Sequence, residues 1–70
     1  MQNARVGKLK SLIYEKFPTE TDCAKALGWP KQKLNRITNG NSRPDVDELN
    51  ALAKTLEKPI NEIIYIFLAN

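Results

Sequence analysis

Histidine is absent from the 70 residues, and cysteine occurs once, as Cys23. Those two shortages exclude much chemistry. One thiol closes no internal disulfide, and a chain without histidine has no ligand set for a zinc or iron site. Ser-His and Cys-His nucleophilic catalysis are excluded with it. The aromatic residues are few and not clustered as a stacking platform for single-stranded RNA. No apolar run approaches the roughly 20 residues that span a bilayer. The N-terminal MQNARVGKLK is basic but lacks the apolar stretch of a secretory signal. The reading is a cytoplasmic protein with no metal, no cofactor and no membrane partner. Neighbouring acids such as Asp45 and Asp47 sit at a helix start with no evident pocket, so an enzyme is not expected.

Acidic residues are also scarce, but only in the first part of the chain. Residues 1–43 carry nine Lys or Arg against three acids, a balance of +6, whereas residues 44–70 carry two against five, a balance of −3. A basic front and an acidic back suggest one face made for a polyanion. The plain alternative is ordinary solvated charge. Seventy residues make one small domain, 1–70, which buries only about 60% of the surface its unfolded chain exposes. Its stability is expected to be modest unless it dimerises.

Apolar spacings of three and four predict five short helices, at about 4–17, 20–27, 30–38, 45–56 and 59–68. Residues 1–3 read as a loose arm. Val6, Leu9, Leu12, Ile13 and Phe17 mark the buried stripe of the first helix, with Arg5, Lys8, Lys10 and Ser11 outside it. Pro18 ends that helix, and Thr19 is a good N-cap with Asp22 as a short-armed capping-box partner. Asp45 and Glu48 form a second capping box. Val46, Leu49, Leu52, Ala53 and Leu56 follow at helical spacing. Pro59 opens a last segment that is apolar on too many sides for a surface helix. Ile60, Ile63, Ile64 and Phe67 are assigned to the core, which leaves Tyr65, Ile66 and Leu68 as an exposed patch. The same composition leaves a short C-terminal strand as an alternative.

The chain is organised around residues 20–39, ETDCAKALGWPKQKLNRITN. Ala24 permits a close helix crossing, and Gly28 suits the left-handed angle that ends the second helix. Cys23 reads as a small core residue beside Ala24 and Leu27. Pro30 opens the third helix, and Trp29 and Leu34 then occupy the two positions of a hydrophobic staple. Asn39-Gly40 stops it. Leu34 and Ile37 give this helix one apolar edge. Lys31, Gln32, Lys33, Asn35 and Arg36 lie on the other side, a layout suited to packing with one edge and reading DNA with the other.

Cys-Ala-Lys-Ala-Leu-Gly-Trp at 23–29, followed by Leu34, Ile37, Asn39-Gly40 and the run from Pro44 to Leu56, resembles the phage repressor/Cro helix-turn-helix family. The similarity extends from Val6 to Leu68. It implies an all-α, lambda repressor-like fold of five helices, with the helix-turn-helix at the second and third. It also implies a sequence-specific DNA-binding transcription regulator, of phage or mobile-element type, whose third helix enters the major groove. By position, Lys31, Gln32 and Arg36 are the first candidates for base edges and Lys33 and Asn35 the second. Lys and Arg suit the acceptors of guanine, and Gln suits adenine. Asn39, Asn41, Ser42 and Arg43 resemble the phosphate-contacting loop.

Four positions depart from the family pattern. Glu20 stands where a phosphate-bonding glutamine is common, so Thr19 or nearby backbone amides are expected to take over that contact. Thr38 stands where an acid is common before Asn-Gly. Glu57 replaces a glycine after the fourth helix, so a different backbone geometry is expected there. Trp29 replaces a smaller aliphatic residue.

A homodimer on double-stranded DNA is expected, joined through Tyr65, Ile66 and Leu68 and bound to a palindromic operator. The chain ends straight after the fifth helix, which favours a small Cro-like regulator without a small-molecule ligand. The alternative is a protein-interaction module of the same fold, of antitoxin or coactivator type.

Overall fold

Five α-helices make up the computed structural model, which describes the backbone of residues 4–68 and the side chains of residues 7–68. They are α1 Ala4–Lys16, α2 Glu20–Leu27, α3 Lys31–Thr38, α4 Val46–Leu56 and α5 Ile60–Leu68. There is no strand among the described residues, and the C-terminal segment is helical. The arm at residues 1–3 lies outside the described residues, as do the side chains of Arg5 and Val6.

The helices begin and stop where local chemistry directs. Thr19 caps α2 by accepting the Asp22 N–H at 3.1 Å, while its own hydroxyl donates to Asp22 Oδ2 at 3.0 Å. The short Asp22 arm therefore bonds the cap side chain instead of the cap backbone. At α4 the box is reciprocal. The Glu48 N–H donates to Asp45 Oδ1 at 2.8 Å and the Asp45 N–H donates to Glu48 Oε1 at 2.9 Å.

Three helices end in the same way. After α2, Gly28 is left-handed at φ 77°, and the Trp29 N–H reaches back to the Ala24 carbonyl at 2.9 Å. After α3, Gly40 is at φ 79° and the Asn41 N–H reaches the Arg36 carbonyl at 2.8 Å. After α4, Glu57 itself is left-handed at φ 57°, and the Lys58 N–H reaches the Ala53 carbonyl at 3.0 Å. This corrects the expectation of a different corner. The geometry suits glycine, and a glutamate is held in it by the same pair of return hydrogen bonds.

Leu9, Leu12, Ile13, Cys23, Ala24, Leu34, Ile37, Leu52, Ala53, Leu56, Ile63 and Ile66 form one buried cluster. Helix α1 packs against all four other helices and is the spine of the fold. Val46 departs from its assigned stripe: it is 69% exposed at the first position of α4, before that helix meets the core.

Helix α5 requires a second correction. Ile66, assigned to the exposed patch, is buried with Ile63, whereas Ile64 is only half-buried. The reason is that α5 packs against both α1 and α4, so its buried stripe runs through Ile60, Ile63 and Ile66, with Phe67 beside it. Tyr65 and Leu68 remain exposed.

Candidate nucleic-acid interface

Helix α3 divides sharply between its two edges. Leu34, Ile37 and Thr38 are buried, while Lys31, Gln32 and Arg36 are exposed. Gln32 and Arg36 are four residues apart, so they stand one above the other on the same helix face. Among the described residues no ion pair takes up Lys31, Arg36 or Arg43. Three cationic groups around this helix are thus left to solvent or to a partner.

The turn before α3 fixes its direction. Pro30 is extended at φ −63°, ψ 147°, and makes no side-chain capping bond. The Lys33 N–H bonds the Pro30 carbonyl at 3.0 Å. Trp29 is half-buried against the core that contains Leu34, as a staple requires.

The other predicted base readers have different surroundings. The Lys33 ammonium lies 2.8 Å from Glu48 Oε2 and 4.8 Å from the centre of the Trp29 ring. Lys33 is half-buried and paired, unlike Lys31 and Arg36. Asn35 is half-buried; its backbone carbonyl accepts from the Asn39 N–H at 2.9 Å and lies 3.2 Å from the Thr38 oxygen, where it competes with Glu20 for the single hydroxyl proton. The Lys33 hydrogen bond, then the Asp45 N–H, hold the Glu48 carboxyl below its usual range. Nothing local in the sequence signals the Lys33–Glu48 pair, because fifteen positions separate the two residues.

The loop candidates Asn39, Asn41, Ser42 and Arg43 are all exposed and follow α3 directly. Ser42 and Arg43 border a small cleft with Ile37, Gly40 and Phe67, so this loop rests on the end of α5. Thr19 is exposed, but its hydroxyl is committed to Asp22. The carboxylate of Glu20 turns inward. Its Oε1 accepts from the buried Thr38 hydroxyl at 3.2 Å, and its Oε2 lies 3.9 Å from the Lys10 ammonium. The charge that would repel a phosphate is therefore partly covered and partly neutralised.

Of the proposed dimer residues, Tyr65 and Leu68 stand on the surface and Ile66 does not. Cys23 is fully buried, and burial, then the Glu20 charge, push its thiol up to about 11. That is the opposite of an activated nucleophile. No cluster of potential metal ligands occurs among the described residues, and no described helix is long and apolar enough to cross a membrane. An open depression of about 630 Å³ runs along α4, lined by residues such as Asp47, Asn50 and Lys54, and shares no residue with the α3 face.

A helix-turn-helix family model matches residues 19–63, which takes in α2, the turn, α3 and all of α4. No curated protein and no solved structure matches the chain. With well over half of the chain matched and the five-helix fold in place, the chain belongs to the XRE-type helix-turn-helix family, whose members are DNA-binding transcription regulators.

Proposed function

We propose that the protein is a sequence-specific transcription regulator that lays α3 in the major groove of DNA and binds as a homodimer. The observation that carries this reading is the pairing of a buried edge, Leu34 and Ile37, with exposed Lys31, Gln32 and Arg36 on one short helix. Lys31 and Arg36 donate to guanine O6 and N7, and Gln32 forms two bonds with adenine N6 and N7. Asn39, Asn41, Ser42 and Arg43 contact phosphates and set the register. Asn35, half-buried, stays a secondary reader. Backbone amides at the start of α2 replace Thr19 as the phosphate contact there, because the threonine hydroxyl is occupied.

Tyr65 and Leu68 form the dimer contact, with Ile66 supporting them from the core. Two-fold pairing sets two reading helices about 34 Å apart, one in each of two successive major grooves, so the operator is a palindrome of two half-sites.

Selection of binding sites from a random pool of DNA duplexes tests the proposal. Enrichment of a palindromic site, with affinity falling steeply as salt rises, supports it. A pool that enriches no site sinks it and favours the interaction module, in which exposed Tyr65 and Leu68 bind another protein.

A further inference from the structure

We propose that Lys33 does not contact DNA but is a positioning residue, a strut that holds the reading helix at a fixed rotation against α4. The inference rests on the DNA-binding reading and deepens it.

The backbone of α3 packs closely against α1 and α2 only. No Cα of α3 lies within 8 Å of a Cα of α4. Across that gap the Lys33 ammonium reaches Glu48 Oε2 at 2.8 Å. Both ends of the link are fixed. Glu48 is pinned to the first turn of α4 by its reciprocal hydrogen bonds with Asp45, at 2.8 and 2.9 Å. The Lys33 ammonium also lies 4.8 Å from the centre of the Trp29 ring, one turn earlier in the chain, a favourable site for a cation. A free lysine has many rotamers, and fixing one has a substantial entropy cost. Here a ring on one side and a carboxylate on the other select one arrangement.

The geometry gives the strut leverage. Lys33 follows Gln32 directly and precedes Arg36 by three positions, so its azimuth sets theirs. An eight-residue helix is only about 12 Å long. Small rotations about its axis carry the side-chain tips across a base edge. Trp29 stands where the family pattern has a smaller aliphatic residue, and it supplies the flat surface that the ammonium needs.

The test is a cycle of Lys33→Met, Glu48→Gln and the double variant, measured against the selected DNA site at several salt concentrations. Each single change weakens binding by about three- to thirty-fold, and the double variant is no weaker than the weaker single. The salt slope stays as in the unchanged protein, because no phosphate contact is lost. Lys33→Arg keeps the charge and the stacking and retains most of the affinity. Circular dichroism melting keeps all comparisons below the unfolding transition.

Emission from Trp29, the single tryptophan, shifts in Lys33→Met and in Glu48→Gln without any DNA. If Lys33→Met lowers the salt slope by about one and Glu48→Gln tightens binding, Lys33 is a phosphate contact and the strut is overturned. An unchanged protein that enriches no DNA site overturns the DNA-binding reading instead.

Discussion

The Thr38 hydroxyl donates to Glu20 Oε1 at 3.2 Å and thereby ties the last residue of α3 to the first residue of α2. Both positions depart from the family pattern, and the structure makes them partners. A buried hydroxyl at the end of α3 meets a carboxylate turned in from the neighbouring helix, with Lys10 on its far side. The helix-turn-helix is therefore closed by a polar clasp as well as by Leu34, Ile37 and Ala24.

Thr38→Val removes the donor from that clasp while keeping the shape of the side chain. Stability is expected to fall by about 1–2 kcal/mol, since Glu20 Oε1 loses its hydroxyl donor and the carboxylate keeps only the Lys10 ammonium at 3.9 Å. Glu20→Gln retains an acceptor for Thr38, and its cost is expected to be below about 1 kcal/mol. Urea denaturation of the two variants checks the order.

The proposed DNA contacts divide by kind. Arg36→Ala and Lys31→Ala are expected to lose discrimination at particular base pairs, by about 1–3 kcal/mol for a lost bidentate contact. Arg43→Ala is expected to weaken all sequences alike and to lower the salt slope by about one. Titrations of the selected site and of scrambled duplexes at several salt concentrations separate these outcomes. Equal loss on every duplex for Arg36→Ala would exclude it as a base reader.

Ile66 and Leu68 are two positions apart in the sequence, with opposite surroundings. Ile66→Ala is expected to cost about 2–5 kcal/mol of stability, because it opens a cavity where α5 meets the core. Leu68→Glu is expected to leave the monomer stable and to weaken self-association. Melting curves and sedimentation equilibrium report the two effects independently.

Glu57 holds a left-handed backbone that glycine adopts without strain. Glu57→Gly relieves about 1–2 kcal/mol of local strain. It also forfeits the exposed Lys16 pair at 3.1 Å, which is worth under about 1 kcal/mol, and adds the entropy of a glycine in the unfolded chain. The net expectation is a gain of up to about 1 kcal/mol. A lowered thermal midpoint would show that the lost ion pair and the added glycine entropy together outweigh the strain.

Cys23 makes stability fall in alkali. Its thiol is raised from 9.0 to about 11 in the folded protein, first by burial and then by Glu20. The folded state therefore keeps a proton that the unfolded state gives up. The stabilisation is complete below pH 9 and is lost progressively towards pH 11, on the order of 3 kcal/mol in all. Cys23→Ala should lack this component of the pH dependence, as urea denaturation between pH 8 and 11 would show. In native buffer near neutral pH, iodoacetamide is expected to alkylate the thiol only on unfolding.

Local rules suffice for much of this molecule. Spacings of three and four, two capping residues, four prolines and the glycines after α2 and α3 determine the number of helices and the turn before the reading helix, because each depends on neighbours a few residues away. The side of α3 that carries Lys31, Gln32 and Arg36 follows from the same periodicity. Tertiary packing decided the rest. Ile66 is buried because α5 is wedged between α1 and α4, and a single helix cannot show how many neighbours it has. Lys33 is paired with a carboxylate fifteen residues away, and Glu20 is turned inward by a hydroxyl eighteen residues away. Both pairs depend on distances that exist only once the chain has folded, and those distances decide which polar groups on α3 remain unpaired.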